Sequence, residues 1–294
     1  MGCHGSKPHV KRRRYPSSSH KSHNRAHSET MTMMGSYDTP NTAAYDEFAT
    51  AYSSRHELPH SRLEHELIQR ALGDCANYRV LDLAGGSGDH ARQAIEAGAR
   101  QIDLVDVSMA MMEIGEEIEA KADRDVIRWI MGDVARPLYE QVIIPALPKG
   151  GYDLVLAIWP FDHAGTVEEY EGMWRNIATY LKPGGRLVGC RLANPWSLSL
   201  QTGKYGASVR LTEPIPGGVK CHVEVAGETP FSFESTSMEE SLMGHKDVPE
   251  MLGIGEMQTL KARDTKTVRE SPGFWEDFVE DPYFVVFTAR KIRF

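Results

Sequence analysis

Short strand-like apolar runs alternating with helix-length stretches constrain this chain more than any other feature. The runs fall at 79–84, 101–105, 126–131, 152–158 and 185–191, with helical stretches at 90–97, 108–120 and 167–181 between them. That rhythm predicts an α/β fold, a parallel sheet covered by helices on both faces. Upstream, 45–52 and 61–71 read as two further helices. In the second, Leu63, Leu67, Ile68 and Leu72 recur at helical spacing. The stretch 192–237 breaks the rhythm with Gly, Pro and short alternating runs such as 219–225. It predicts an irregular or antiparallel insertion over the sheet edge, a small substrate cap. Regular patterning returns near Glu239, and 283–289 reads as a closing strand.

Charge separates a tail from this body. Residues 1–30 hold seven Lys/Arg and one acid, a net of +6, in a chain of net −8, which leaves −14 on the remainder. An acidic body repels a phosphate backbone, which argues against a nucleic-acid substrate. Residues 1–36 are rich in His, Ser, Lys and Arg and lack apolar periodicity, which predicts a disordered basic tail before a main domain at 37–294. Met1-Gly2-Cys3-His4-Gly5-Ser6 fits the N-myristoylation pattern, Cys3 is a palmitoyl candidate, and Lys11-Arg12-Arg13-Arg14 is polybasic. Together they suggest weak membrane association by lipid anchoring at Gly2/Cys3. The same basic cluster also reads as a nuclear signal, and a start at Met31, Met33 or Met34 would remove it altogether. No apolar run approaches the ~20 residues that span a bilayer, and no secretory h-region is present. The four cysteines are scattered without a C-x-x-C pair, so a reducing, cytoplasmic setting is expected. No metal is expected either: Pro59 interrupts any helical face shared by His56, His60 and His65.

Chemistry concentrates at the ends of the strands. Val80-Leu81-Asp82-Leu83-Ala84-Gly85-Gly86-Ser87-Gly88 is a buried strand entering a Gly-rich turn and a helix. The glycines let backbone approach a ligand, and the helix start favours an anionic group. Gly86-x-Gly88-x-x-Ala91 also satisfies the loose dinucleotide fingerprint, and such a turn can exist without any ligand. Asp106 ends the second strand, where a carboxylate accepts ribose hydroxyls in either a nucleoside or a dinucleotide site. Asp133 follows the third strand, positioned to accept an adenine amino group. Asp82 lies inside the first strand, placed to orient the loop and to face an ammonium, which nicotinamide dinucleotides lack. Singly, each acid reads as solvated. In order, one per βα unit, they read as a ligand site. Leu181-Lys182-Pro183-Gly184-Gly185-Arg186-Leu187 makes a helix stop and a turn into the fifth strand.

This constellation resembles the class I S-adenosylmethionine-dependent methyltransferases across about residues 41 to 291. Asp106-Val107-Ser108-Met109-Ala110-Met111-Met112 looks like that family's D-x-S-x-x-M pattern. The resemblance implies a Rossmann-like seven-stranded sheet with its last strand antiparallel, and S-adenosyl-L-methionine as cofactor. It implies Ala84, Gly86 and Gly88 in the loop, Asp106 and Val107 beside the ribose, and Met111 near the adenine. Asp133, Val134 and Ala157 complete the cofactor set, with Asp82 toward the ammonium. Tyr45 and Tyr52 lie on a segment like the family's N-terminal helix, which closes over the methionine end. Ala84 departs from the usual first glycine. The C-terminal half is most similar to toxoflavin-type enzymes of toxin and secondary-metabolite pathways, through Asn194-Pro195, Tyr205-Gly206, Phe274-Trp275 and the Asp281-Pro282-Tyr283 ending. That looser match implies a small-molecule acceptor methylated at O or N.

On the acceptor side, Trp159 and Phe161 follow the fourth strand, where open α/β sheets bind ligands. They line an apolar site or pack as core. His163 is the candidate general base, with a helix-start role or a cofactor contact as alternatives. Trp196 and Tyr205, with Phe231 and Phe233, are candidate lid residues. Two rival functions remain: an NAD(P)-dependent oxidoreductase, for which no clear hydride-transfer constellation is present, and a binding-only protein that keeps the cofactor pocket. Oligomeric state is not legible.

Overall fold

A computed structural model describes residues 1–2, 40–53, 55–141, 150–242 and 244–292. The chain forms two compact units, Met1–Ser36 and Tyr37–Phe294. The basic tail and most of its lipidation motif lie outside the described residues, as do the candidate starts at Met31, Met33 and Met34.

Two helices open the second unit, α1 (Pro40–Ser53) and α2 (Pro59–Leu72). A βα series follows: β1 (Arg79–Leu83), α3 (Asp89–Glu96), β2 (Gln101–Asp106), α4 (Met109–Lys121), β3 (Ile127–Met131), the short α5 (Leu138–Gln141), β4 (Tyr152–Ile158), α6 (Val167–Tyr180) and β5 (Leu181–Leu192). After the single-turn α7 (Leu198–Gln201) come three strands: β6 (Ala207–Ile215), β7 (Gly218–Val225) and β8 (Phe231–Met238). Then α8 (Glu239–Leu242), α9 (Asp247–Met251), β9 (Ile254–Thr259), α10 (Lys266–Glu270), α11 (Glu276–Glu280) and β10 (Phe284–Lys291) finish the unit.

The main sheet has seven strands in the order β3-β2-β1-β4-β5-β10-β9, and β10 runs antiparallel to both neighbours. Pairings of β1 with β2 and β4, of β2 with β3, and of β4 with β5 are parallel. This is the Rossmann-like α/β fold expected from the alternation. Strand residues point alternately to two cores. Leu154, Leu156 and Ile158 of β4 join Leu63, Leu67 and Ile68 of α2 on one face, while Val155 and Ala157 join Met173, Trp174 and Ile177 of α6 on the other. Burial on both faces is why these strands read as continuous apolar runs.

β9 was not legible as a strand. It is an edge strand whose Ile254-Gly255-Glu256-Met257-Gln258-Thr259 sequence is mostly polar, and Glu256 sits at φ +54° beside a register shift against β10. The stretch that breaks the βα rhythm contains α7 and a regular three-stranded antiparallel sheet, β6-β7-β8. Its pairing brings Val209, Val223 and Phe233 to one face. Hydroxyls stitch β8 to the turn after β4. Ser235 Oγ donates to the Asp162 carbonyl at 2.6 Å, Thr236 Oγ1 to the Ala164 carbonyl at 2.7 Å, and Ser237 Oγ to Asp162 Oδ1 at 3.3 Å.

The approach of α6 to the loop after β3 depends on a glycine. A Cβ on Gly172 would lie 2.0 Å from the Ala135 carbonyl oxygen, which is backbone and cannot swing away. Gly172→Ala is therefore expected to lower unfolding free energy by about 1–3 kcal/mol in a urea titration. Unchanged stability would show that α6 does not pack this closely.

Candidate functional site

A cleft of about 1160 Å³ opens at the carboxyl ends of the central strands. This is where parallel α/β sheets bind ligands, because the strand order reverses there and adjacent loops diverge. Its walls include Ala84, Gly85, Gly86 and Ser87 from the loop after β1, and Asp106, Val107 and Met111 from the β2–α4 junction. Asp133 and Val134 follow β3, and Trp159 and His163 follow β4. Tyr45 and Tyr52 of α1 close one side.

The loop is held by Asp106. Its Oδ2 accepts the Gly86 amide at 2.7 Å and its Oδ1 accepts the Ser108 amide at 2.8 Å. Burial raises the pKa of this carboxyl, and the amides of Ser108, Gly86 and Val107 oppose that rise. Ala84 adopts φ +58° and Gly86 φ +54°. Ala84 thus carries a left-handed conformation at a cost that glycine would avoid. The loop also approaches its neighbours too closely for side chains. A Cβ on Gly85 would meet Leu104 at 2.5 Å and Asp82 Oδ2 at 2.8 Å.

Asp82 sits beneath this loop, 1% exposed, and its Oδ2 has no hydrogen-bond partner among the described residues. Burial pushes its pKa up to about 7; Asp106 and Asp89 add to the rise, and His90 and Arg92 oppose it. The Asp133 carboxylate accepts the Ala135 amide at 2.9 Å and lies 3.3 Å from Arg136 Nε.

Several polar residues of the site carried no readable signal. Asp46, on α1, accepts Ser108 Oγ at 2.6 Å and the Ala110 amide at 3.3 Å, so it clasps α1 to the start of α4. Arg55 is buried between Asp89 at 3.3 Å and Glu64 at 3.8 Å, with its guanidinium 4.0 Å from the Tyr52 ring centroid. Glu64 accepts Trp159 Nε1 at 2.8 Å and lies 3.3 Å from His90 Nε2. Most of these links join positions far apart in sequence, and only the fold brings them together.

Trp159 occupies the left-handed region at φ +68°, rare for a bulky residue, and there β4 turns sharply into the 3₁₀ turn Pro160–His163. That turn delivers His163 to the cleft, with Nε2 2.8 Å from the Tyr45 hydroxyl. Burial lowers the pKa of His163 to about 4, so the imidazole is neutral at neutral pH, while burial raises that of Tyr45 well above its usual value. His163 Nδ1 has no partner among the described residues.

Not every expected residue reaches the cleft: Asp82 lies under the glycine loop and is not part of the cleft wall. Phe161 is fully buried on the opposite side of its turn, stacked on Trp174 at 4.8 Å, because its backbone faces the α6 core. Tyr205 is fully buried, stacked on Trp275 at 4.6 Å with its hydroxyl on the Phe274 carbonyl at 3.0 Å. Trp196 is 57% exposed, and none of these three lines the cleft. Ala157 is enclosed in the α6-side core, and Gly88 (φ +82°) starts α3 behind the loop. Phe231 and Phe233 instead pack on α1, Phe231 stacking on Phe48 at 4.9 Å and Phe233 lying 5.8 Å from Tyr45.

Residues 80–185 match a family model described as a methyltransferase domain. The chain is 27% identical over 157 residues to a demethylmenaquinone methyltransferase of Clavibacter sepedonicus, covering 52% of this chain and 58% of that protein. It is 26% identical over 203 residues to the ubiquinone/menaquinone biosynthesis C-methyltransferase UbiE of Pseudomonas putida, covering 65% and 75%. The chain thus spans between about half and three quarters of the length of these curated relatives. A solved S-adenosylmethionine dependent methyltransferase from Mesorhizobium loti shares the fold, with TM-score 0.53 and 18% identity over 78% of this chain and 97% of that one.

The Glu64 cluster makes a pH-dependent contribution to stability. Burial alone would raise the Glu64 pKa, but contact with His90 and the charges of Arg55, His90 and His60 bring it down to about 2. A depressed carboxylate stabilises the fold above its unfolded pKa, and that contribution disappears as pH falls toward the folded value. Full loss is worth on the order of 3 kcal/mol. Glu64→Gln should therefore destabilise at pH 7, with a penalty smaller by about 1 kcal/mol at pH 3.5. A penalty constant across denaturant titrations at both pH values would contradict the assignment.

Proposed function

We propose that this chain is an S-adenosylmethionine-dependent methyltransferase acting on a small-molecule acceptor. The observation that carries the reading is Asp82. It is a buried carboxyl with an unpartnered oxygen, lying beneath the glycine loop whose Ala84, Gly85 and Gly86 line the cleft. An ammonium brought near it supplies the missing counter-charge, and the methionine portion of S-adenosylmethionine carries one where a nicotinamide dinucleotide does not. Asp106 retains free lone pairs for ribose hydroxyls after binding two amides. Met111, with its Cε 3.1 Å from where a Gly86 side chain would begin, closes the adenine end. Asp133 and Val134 face the same end, and Tyr45 and Tyr52 cover the methionine end.

S-adenosylmethionine supplies an electrophilic methyl group on a sulfonium. The chain's own work is to hold the acceptor in line with it and to keep water out. Trp159 and α1 enclose that point. A neutral, weakly basic His163 is suited to orient an acceptor by hydrogen bonding, and it takes a proton only as the acceptor loses one. The β6–β8 sheet over the cleft acts as the substrate cap. The chain's similarity to quinone C-methyltransferases and the looser resemblance of its C-terminal half to toxoflavin-type enzymes both support a small-molecule acceptor. Methylation at O or N fits a site that holds His163, and the acidic body disfavours nucleic acid. A cytoplasmic setting accords with the scattered cysteines, and among the described residues no helix is long and apolar enough to cross a membrane.

The test is calorimetric titration with S-adenosylhomocysteine, the demethylated product. Wild type should bind it, and Asp106→Ala should bind roughly ten- to a few hundredfold more weakly, since charge-assisted hydrogen bonds are worth ~1.5–3 kcal/mol each. Equal affinity in the two proteins, or binding of NAD in place of the nucleoside, would overturn the reading.

A further inference from the structure

A second, smaller cavity of about 110 Å³ lies behind the cleft and shares Tyr45, Tyr52, Arg55, Trp159, His163 and Ser235 with it. Its far walls are apolar: Leu192, Leu200, Val209, Val223, Val225 and Phe233. Four of these belong to the inward face of the β6–β8 sheet: Val209 pairs with Val223, Val223 with Phe233, and Val225 lies two residues from Val223 on the same face. An apolar cavity of about 150 Å³ holds benzene, so this one is on the scale of a single ring entering from the cleft.

Most polar groups bordering it are already engaged. Glu64 holds Trp159, Asp162 holds the Leu192 amide at 3.0 Å, Ser235 holds the Asp162 carbonyl, and His60 Nδ1 lies 3.0 Å from the Tyr205 carbonyl. Two are not. Tyr283, at 3% exposure, borders the cavity, and its hydroxyl has no partner among the described residues. At the mouth, His163 Nδ1 is likewise unpartnered. A buried hydroxyl without a partner costs free energy, and a ligand oxygen would remove that cost.

We propose that this inner cavity is the acceptor site and that it takes a single aromatic ring carrying an oxygen substituent, which pairs with the Tyr283 hydroxyl while the reacting end faces His163. The proposal rests on the methyltransferase reading. The apolar walls select a neutral ring, Tyr283 selects its oxygen, and the depth limits ring number.

The experiment uses the full chain saturated with S-adenosylhomocysteine and titrated with phenol, 4-methylphenol and toluene by ligand-observed NMR. The phenols should bind, and 4-methylphenol should bind about three- to tenfold more tightly than toluene, the range of one neutral hydrogen bond. Tyr283→Phe keeps the ring that packs on Tyr205, Phe278 and Phe284 and should erase that difference. Val223→Trp should fill the cavity and abolish ring binding while leaving S-adenosylhomocysteine affinity within about twofold. Phenols that fail to bind the saturated wild type, or that bind Val223→Trp as well as wild type, would overturn the proposal. So would a preference for the oxygenated ring that survives Tyr283→Phe. The same titrations without nucleoside separate the two readings: ring binding by a chain that does not bind S-adenosylhomocysteine would support the cavity and remove the methyl-transfer assignment.

Discussion

The site depends on one carboxylate accepting two backbone amides. Asp106 reaches from the end of β2 to Gly86 in the neighbouring β1 loop and to Ser108 at the start of α4. Those bonds fix the left-handed loop beside the cleft, and they leave the carboxylate's remaining lone pairs available to a ligand. The surrounding charge is unbalanced. Asp82, Asp89, Asp106 and Glu64 converge there, with Arg55, Arg92 and His90 opposing them. Among the described residues Asp82 Oδ2 is left without a hydrogen-bond partner, and burial raises the pKa of this carboxyl. A cationic ligand is the physical complement of such a site.

α1 ties the two halves of the site together. At one end Asp46 holds the α4 start, and along the same helix Phe48 and Tyr45 rest on Phe231 and Phe233 of the β6–β8 sheet. Tyr45 also reaches His163, whose position follows from the strained Trp159 turn and from the hydroxyl bonds that anchor β8 to that turn. Movement of α1 therefore changes the cleft and the inner cavity together. This is the coupling expected where two ligands must meet in line.

The parallel core was legible because its strands are buried on both faces and because each βα unit has its own apolar period. The edge strand β9 was not, since a polar strand with a glycine and a positive-φ residue carries neither period. Asp82, Asp106 and the glycines were legible because strand, loop and helix are contiguous in sequence. Trp159 and His163 lie just after β4, where the sequence put them, but the 3₁₀ turn carries Phe161 to the opposite face, a geometry that residue type cannot convey. Tyr205 and Trp196 looked like lid aromatics, yet Tyr205 completes a packed aromatic cluster and Trp196 lies outside the cleft. Asp46, Arg55 and Glu64 act through partners tens of residues away, and ordinary-looking charges on helices gave no hint of them.

If Asp82 meets the ammonium of the proposed cofactor, proton linkage reads that contact. A carboxyl with a pKa of about 7 is mostly protonated at pH 6, and a nearby cation lowers that pKa, so binding must expel the proton. Titration with S-adenosylmethionine at pH 6, in buffers of different ionisation enthalpy, should report release of approaching one proton in wild type and close to none in Asp82→Asn. Equal proton release from the two proteins, or binding with no release at all, would contradict the account.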